Sequence, residues 1–210
     1  MMKILIADDH AVVREGLKQI LSETPDMLVA DEANDGQEVL DKVSENQYDI
    51  VLLDITMPGR SGLDILKQIK NDNPKLPVLM LSVHPEEQYA VRTLKAGASG
   101  YLTKGSAPDE LIAAIRKISQ GKKYVSPSLA EKLAIDLDID HEKPRHEILS
   151  DREYQVMCKI ASGMTVKEIA DELSLSVQTI STYRSRILEK MKMKNNAELI
   201  HYAVKQGLVD

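Results

Sequence analysis

The stretch DIVLLDITMPGRSG, residues 49–62, decides the fold because an unbroken apolar run inside it ends on a carboxylate. Residues 50–53 are all aliphatic, which is typical of a strand covered on both faces in a parallel sheet. Asp54 follows them, and a turn containing Met57-Pro58-Gly59 comes next. In open α/β sheets, ligands bind in the crevice beyond the carboxyl ends of the strands. From this stretch alone, Asp54 either acts on such a ligand or begins a turn.

Short apolar strands and amphipathic helices alternate on both sides of this stretch. Strands are predicted at residues 3–7, 27–30, 50–53, 77–81 and 100–103, and helices within residues 13–21, 35–44, 63–69, 86–95 and 108–118. Ser106 and Asp109 are spaced as a capping box for the last of these helices. Five strands alternating with five helices predict a doubly wound α/β domain with a five-stranded parallel sheet, because short strand–helix–strand units favour parallel pairing.

Polar side chains follow four of the predicted strands: Asp8 and Asp9, then Asp54, Ser82 and Lys104. We expect them to converge, because these strand ends lie along one edge of a parallel sheet. Three carboxylates would raise one another's pKa, and Mg²⁺ is the oxygen-seeking cation that relieves such repulsion. With the ammonium and the hydroxyl, the set could transfer a phosphoryl group to a carboxylate. The alternative is that the acids are solvated strand caps and the lysine is their surface partner.

Residues 2–120 resemble the receiver domain of bacterial two-component response regulators, which has a flavodoxin-like or CheY-like fold. The residues that carry the resemblance are Asp8-Asp9, the D-x-x-M-P-G-x-x-G run from Asp54 to Gly62, Ser82, Tyr101 and Lys104-Gly105. The resemblance implies that Asp54 is the phosphoacceptor and that a sensor histidine kinase supplies the phosphoryl group. It also implies that Ser82 and Lys104 contact that group.

The same resemblance implies a metal site and a conformational switch. The implied Mg²⁺ ligands are Asp9, Asp54 and the backbone carbonyl of Thr56, with Asp8 acting through a water molecule. Tyr101 matches the aromatic switch of the family, which turns inward when the hydroxyl of Ser82 moves toward the phosphate. The alternative for Tyr101 is an amphipathic ring packed at a strand edge.

A stand-alone phosphatase is the competing class of enzyme, because haloacid-dehalogenase-like phosphatases also place a nucleophilic aspartate at a strand end. Those enzymes need a second aspartate two positions later as a general acid, and Thr56 occupies that position here. We therefore expect a regulator and no enzyme. Receivers hydrolyse their own aspartyl phosphate slowly, and the resemblance places Thr56 and His84 beside the path of the attacking water. We hypothesise that both set the lifetime of the phosphate; His84 is otherwise an ordinary loop residue.

Charge is distributed unevenly along the chain. Residues 1–147 carry 18 Lys+Arg against 25 Asp+Glu, a net charge of -7, whereas residues 148–210 carry 9 against 8, a net charge of +1. An acidic first part and a basic helix within residues 176–195 indicate two functions. Apolar periodicity is weak between them, so we predict domains at 1–121 and 147–210 joined by a linker at 122–146. A short helix is expected within residues 129–137.

The single cysteine and the N-terminal sequence bear on location. Cys158 has helical spacing with Tyr154, Met157 and Ala161, so we expect it to pack in a core. One cysteine cannot form a disulfide framework within the chain, which favours a reducing compartment. Aspartates directly follow the first apolar run, and no later run reaches membrane-spanning length. We therefore expect a cytoplasmic protein with no membrane partner.

The chain from Leu149 onward predicts a small all-α domain of four helices. Two pairs are spaced as capping boxes, Ser150 with Glu153 and Thr165 with Glu168. A tight turn at residues 174–176 then joins a short helix to a longer basic one, which is typical of a helix-turn-helix. Hydroxyl and guanidinium groups on the longer helix can bind phosphates and reach base edges in a major groove.

Residues 147–208 are similar to the LuxR/NarL-type four-helix DNA-binding domain. The matching residues are Leu149-Ser150-x-Arg152-Glu153, Ala161-x-Gly163, Lys167-Glu168-Ile169-Ala170, Leu173, Ser176, Thr179-Ile180 and Ile187-Leu188-x-Lys190-Met191. The chain departs from the common pattern at Val166, Ser181 and Tyr183, which leaves the operator sequence unreadable. The residues predicted to lie near DNA are Lys167, Ser181, Thr182, Arg184 and Arg186. Leu199, Ile200 and Val204 are candidates either for a dimer contact or for packing inside the domain.

Together these patterns predict a two-domain response regulator of the NarL/LuxR (FixJ) family. A sensor histidine kinase would phosphorylate Asp54, and the protein would bind double-stranded operator DNA as a homodimer, because pairing two half-sites multiplies affinity. RNA polymerase is a further partner that this interpretation allows. The alternative is a receiver whose helical C-terminal module binds another protein instead of DNA.

Overall fold

The computed structural model describes residues 1–131 and 144–209, which divide into one unit at Met1–Ala130 and a second at Glu131–Asp210. The first unit alternates strands with helices, and the second is helical. Residues 127–131 are helical. The rest of the helix that we predict within 129–137 lies outside the described residues.

A five-stranded parallel sheet forms the centre of the first unit, with strand order β2-β1-β3-β4-β5. The strands are β1 (Met2–Ala7), β2 (Met27–Ala33), β3 (Ile50–Asp54), β4 (Val78–Ser82) and β5 (Gly100–Thr103). Ala7 of β1 is in register with Leu53 of β3, and Leu53 with Met80 of β4. The strand order reverses at β1, so the crevice of the sheet opens between the carboxyl ends of β1 and β3.

Five helices cover this sheet, which confirms the predicted doubly wound fold. They are α1 (Ala11–Ser22), α2 (Gly36–Glu45), α3 (Gly62–Asp72), α4 (Glu86–Lys95) and α5 (Pro108–Ser119). The predicted capping box of Ser106 with Asp109 is wrong. Ala107 is the N-cap of α5 and makes no side-chain cap, and the hydroxyl of Ser106 lies 3.2 Å from that of Thr103. Pro108 begins the helix, where its missing N–H costs nothing.

The core of the first unit lies on the two faces of the central strands. Every residue of β3 and β4 is buried, as the aliphatic run at 50–53 predicts. Strand β2 extends to Ala33, three residues beyond the prediction, and includes Asp31 and Glu32. These two acids are tolerated because β2 is an edge strand, where they meet lysines of neighbouring helices.

Over residues 144–209, the described part of the second unit, four α-helices follow a short 3-10 helix at Arg145–Ile148. The α-helices are α6 (Asp151–Ala161), α7 (Val166–Glu172), α8 (Val177–Met191) and α9 (Asn196–Lys205). Both predicted capping boxes are present, at the start of α6 and of α7. Ser174 adopts a left-handed conformation, with φ of 52°, in the turn between α7 and α8. Cys158 is buried, which confirms its assignment to a core.

Candidate functional site

The acids and the lysine that we predict to converge do meet at the carboxyl edge of the sheet. Lys104 Nζ lies 2.6 Å from Asp8 Oδ2 and 2.9 Å from Asp54 Oδ2. The side chain of Asp8 is fully buried and that of Asp54 is 2% exposed, whereas Asp9 reaches solvent. Because Lys104 follows β5 and Asp8 follows β1, the site joins strands from both sides of β3 and β4.

Backbone contacts hold Asp54 and the turn after it in place. Ile55 donates its N–H to the carbonyl of Leu81 at 3.0 Å, and Gly62 donates to the carbonyl of Ile55 at 2.9 Å. A Cβ atom on Gly62 would lie 1.9 Å from the carbonyl oxygen of Asp54. Only glycine allows α3 to begin this close to the acceptor strand.

Burial dominates the electrostatics of the site. Burial raises the pKa of Asp54 to about 6; the ammonium of Lys104 opposes this rise, and the carboxylate of Asp8 adds to it. Burial would also lower the pKa of Lys104, but the carboxylates of Asp54 and Asp8 outweigh burial and raise it. The Oδ2 atoms of Asp8 and Asp54 thus share one ammonium, at hydrogen-bond distance from each.

A divalent cation fits the donor set at this edge. Ligand atoms of Asp8, Asp9, His10 and Asp54 all lie within 4.8 Å of one another. Carboxylate oxygens are the ligands that Mg²⁺ prefers, and three of these four residues supply a carboxylate. His10 was missed from the sequence, where a histidine after a strand is usually a loop residue. Its Nδ1 lies 2.8 Å from Asp9 Oδ1.

The raised pKa of Asp54 predicts that the metal-free protein loses stability as pH rises. The folded pKa of about 6 lies above the ordinary value of 3.8, so the folded state binds this proton more tightly than the unfolded chain does. The contribution of Asp54 to the free energy of unfolding is greatest below about pH 4. It falls by roughly 3 kcal/mol as the pH rises from there to about 6. Asp54→Asn cannot ionise and should remove that slope.

Urea unfolding in EDTA, near pH 4.5 and pH 7, measures this difference. The wild-type protein with Mg²⁺ is the matched control, because a bound cation offsets the cost of the buried negative charge. Equal pH slopes for the wild-type and Asp54→Asn proteins without metal would contradict the assignment of the raised pKa to this carboxyl group.

Ser82 and Tyr101 lie next to the site and share one loop. Both side chains are fully buried. Ser82 Oγ accepts the N–H of His84 at 3.0 Å, and the hydroxyl of Tyr101 donates to the carbonyl of His84 at 2.8 Å. The ring of Tyr101 therefore points inward in this structure. Through His84, the hydroxyls of Ser82 and Tyr101 together hold the loop between β4 and α4.

The residues predicted to contact DNA divide into two groups in the structure. Lys167, Thr182 and Arg186 are exposed, and Ser181 is half-buried. The hydroxyls of Ser181 and Thr182 each donate to the carbonyl four residues earlier at 2.9 Å, so toward DNA they are acceptors. Arg184 is half-buried, and its Nε donates to Asn196 Oδ1 at 2.7 Å. This contact, which the sequence did not reveal, ties α8 to the start of α9.

Two further side chains, those of Lys190 and Leu199, have their partners inside the second unit. Lys190 belongs to the basic stretch, but its Nζ lies 2.6 Å from the buried carboxylate of Glu153 and adds little free charge. Leu199 is buried, so it packs inside this unit in this structure and is not exposed for a dimer contact. Val204 is 51% exposed. Val177, at the first turn of α8, is also exposed, at 50%.

Comparison with known families identifies both units. The model for the response regulator receiver domain matches residues 4–116, and the model for bacterial regulatory proteins of the luxR family matches residues 147–203. The chain belongs to the LuxR family of response regulators. Members of this family work with histidine kinases and bind DNA, and their receivers generally bind Mg²⁺ at an acidic cluster such as the one described above. The chain is thus a DNA-binding transcriptional regulator.

Relatives of LuxR-family type match along the whole chain. The response regulator UvrY of Escherichia coli strain K12 is 36% identical over 99% of this chain and 96% of its own length. The response regulator GacA of Pseudomonas aeruginosa is 37% identical over 100% of this chain and 99% of its own. The relatives are named as regulators, which agrees with the expectation that the chain is no enzyme.

A solved relative shows the same fold on DNA. RcsB from Salmonella enterica serovar Typhimurium, bound to promoter rprA in the presence of phosphomimetic BeF3-, is 26% identical, with a TM-score of 0.67 over 96% of this chain and 97% of that one. A further RcsB structure contains two dimers on two parallel DNAs, with 27% identity and a TM-score of 0.60 over 97% of this chain and 98% of that one.

Within residues 1–131 and 144–209, no helix has both the length and the apolar character that crossing a bilayer requires.

Proposed function

We propose that Asp54 is the phosphoacceptor of this response regulator and that a sensor histidine kinase is the donor. The observation that carries the proposal is the position of its buried carboxylate at the sheet edge, 2.9 Å from Lys104 Nζ. A carboxylate oxygen of Asp54 attacks phosphorus, the phosphorus–nitrogen bond of the phosphohistidine breaks, and the released imidazole takes a proton. The attacking group must be ionised, so only the deprotonated carboxylate of Asp54 accepts the phosphoryl group.

The side chains around Asp54 have separate roles in this transfer. Lys104 balances charge that develops on the phosphoryl oxygens, and the hydroxyl of Ser82 donates a hydrogen bond to one of them. We propose that Asp9, Asp54 and the carbonyl of Thr56 hold Mg²⁺, with Asp8 acting through water. When bound, the metal neutralises the negative charge of the phosphoryl oxygens. Tyr101 as the switch, and Thr56 and His84 as determinants of phosphate lifetime, stay predictions.

The second unit delivers the response by binding double-stranded operator DNA. We propose that Lys167, Ser181, Thr182 and Arg186 face DNA, while Arg184 contacts DNA only with nitrogens other than Nε, which Asn196 occupies. A homodimer forms on phosphorylation, a proposal supported by the RcsB dimers on DNA. Ile200, which is half-buried, and Val204, which is exposed, are the remaining candidates for its contact on α9. The protein acts in the cytoplasm, where promoters and RNA polymerase are accessible.

We propose domain boundaries at 1–121 and 147–210, with a linker at 122–146. The two family matches, at 4–116 and 147–203, support a boundary of this kind.

The experiment that tests the proposed function treats the full-length protein with a small phosphoryl donor and Mg²⁺. The expected result is a mass increase of one phosphoryl group, dimer formation and tighter DNA binding. Unchanged mass would contradict the proposal.

Arg186→Ala is expected to weaken the binding of any DNA duplex to a similar extent, whatever its base sequence. The side chain is exposed on α8, where a guanidinium reaches phosphates. Removing one such contact should reduce the slope of log affinity against log salt by about 1, and affinity should fall at low salt. Titration of a random-sequence duplex at several salt concentrations measures both quantities.

Lys205→Ala is the matched control, since it removes one exposed positive charge from the end of α9. It should leave the salt slope within error of the wild-type value. If both variants lower the slope equally, the interface is not centred on α8.

A further inference from the structure

The chain that follows α5 returns to the edge of the sheet. Tyr124 forms an isolated parallel bridge with Gly100, and its N–H donates to the carbonyl of Ser99 at 2.8 Å. Its hydroxyl donates to Glu110 Oε1 at 2.8 Å. A Cβ atom on Gly100 would lie 3.0 Å from Tyr124, so the absence of a side chain permits this approach. Residues 123–129, named here the docked segment, therefore begin at a fixed place beside β5.

The other end of the docked segment is held by a carboxylate of α4. Ser126 and Ser128 both donate their hydroxyls to Glu86 Oε2, the latter at 3.2 Å. Ser126 Oγ also accepts the N–H of Leu129 at 3.2 Å, so it caps the helical residues 127–131. Ser126 is 8% exposed and Leu129 is 2% exposed. The hydrogen bond from Ser126 to the carboxylate of Glu86 is part-buried, and such a bond to a charged group is stronger than one on an open surface.

Glu86 is close along the chain to the loop between β4 and α4, which begins at Ser82. It is the first residue of α4, and four positions separate it from Ser82. Between them, His84 is held at its N–H by Ser82 and at its carbonyl by Tyr101. A movement of Ser82 toward a phosphoryl group would break its bond to the N–H of His84. The loop that leads into α4, and Glu86 at the start of that helix, would then be free to shift.

We propose that the contact of Glu86 with Ser126 and Ser128 passes the phosphorylation state of the site to the helix that begins at residue 127. The proposal rests on the phosphoacceptor role of Asp54. In the arrangement seen here, with Ser82 Oγ bonded to the N–H of His84, Glu86 holds the cap and the first turn of that helix is formed. When the β4–α4 loop shifts, the carboxylate withdraws from both hydroxyls and the first turn opens. Glu86 is thus a positioning residue that acts through the docked segment.

Hydrogen exchange of the full-length protein, with Mg²⁺ and with or without beryllofluoride, tests this coupling. The reporters are the amides of Leu129 and Ala130, which are bonded to Ser126. In the wild-type protein, beryllofluoride should speed their exchange by about tenfold or more, because the loss of one hydrogen bond to a charged group favours local opening by about that factor. In the Glu86→Ala protein these two amides should exchange fast even without beryllofluoride, and adding beryllofluoride should not change their rates. Glu86→Gln, which keeps an acceptor oxygen, should lie between the two and serves if Glu86→Ala does not fold.

Glu110→Ala is the matched control, because it removes a carboxylate that anchors the same segment through Tyr124 but lies on α5. It should loosen the segment around Tyr124 and preserve the response of Leu129 and Ala130 to beryllofluoride. If Glu86→Ala keeps the wild-type response, the proposed coupling is wrong.

Failure of this coupling is distinguishable from failure of the proposed function. Amides at residues 54–56 report directly on beryllofluoride at the acceptor. If they change while those of Leu129 and Ala130 in the wild-type protein do not, the coupling is overturned and the phosphoacceptor role stands. If no amide near Asp54 changes and no phosphoryl group is taken up, the proposed function fails and the coupling falls with it.

Discussion

Asp54→Ala is expected to abolish phosphoryl uptake, with a rate at least about 100-fold below that of the wild-type protein. The variant removes the attacking oxygen and one metal ligand while Asp8 and Lys104, 2.6 Å apart, still form their ion pair. Incubation with a small phosphoryl donor and Mg²⁺, followed by intact mass, measures uptake. DNA affinity should also become independent of the donor, because the response begins at this carboxylate.

Ser61→Ala provides a control near the same turn. Its hydroxyl caps α3 and contacts Asp64, away from the acceptor. This variant should lose about 1 kcal/mol of stability and keep its ability to accept a phosphoryl group. Uptake by Asp54→Ala at the wild-type rate would place the acceptor elsewhere.

Gly62→Ala is expected to destabilise the first unit by about 3 kcal/mol or more. The new Cβ would lie 1.9 Å from the carbonyl oxygen of Asp54, and the backbone at that point cannot give way as a flexible side chain would. The acceptor and the start of α3 must separate, so phosphoryl uptake should fall together with stability. Urea unfolding and intact mass after donor treatment measure the two effects.

Gly16→Ala is the opposite test of the same principle. Gly16 lies in α1, and nothing is within 4 Å of a Cβ atom placed there. Alanine favours a helix over glycine, so this variant should gain about 0.5–1 kcal/mol. A Gly62→Ala protein as stable as the wild type would show that α3 does not require this close approach.

Much of the site was predictable because parallel strands place their ends along one edge. Asp8, Asp54 and Lys104 are far apart in sequence, yet strand polarity alone predicts that they meet. His10 was not predictable in the same way. Its ring lies beside Asp9 because of the path of the chain into α1, and strand periodicity does not encode that path.

The errors in the sequence analysis arise where tertiary contacts override local spacing. Ser106 and Asp109 have the spacing of a capping box, but Ser106 pairs with Thr103 and Ala107 takes the N-cap. Arg184 near DNA stays a prediction, and what the spacing did not reveal is that its Nε binds Asn196, twelve residues later. Neither partner is visible from helix periodicity, because each depends on how the backbone turns between elements.

Local signals were most reliable where the chain satisfies its own helix ends. The capping boxes of α6 and α7 require only two side chains three residues apart, and both are present. The docked segment lies at the other extreme. Its contacts join Ser126 to Glu86 across 40 positions, and the sequence suggests only a turn there.

The most direct test of the account locates the aspartyl phosphate. The full-length protein is treated with a phosphoryl donor and Mg²⁺, reduced with borohydride, which converts an aspartyl phosphate to homoserine, and then fragmented for mass analysis. We expect homoserine at position 54 alone, and none when Mg²⁺ is removed with EDTA. Homoserine at another aspartate, with position 54 unchanged, would contradict it.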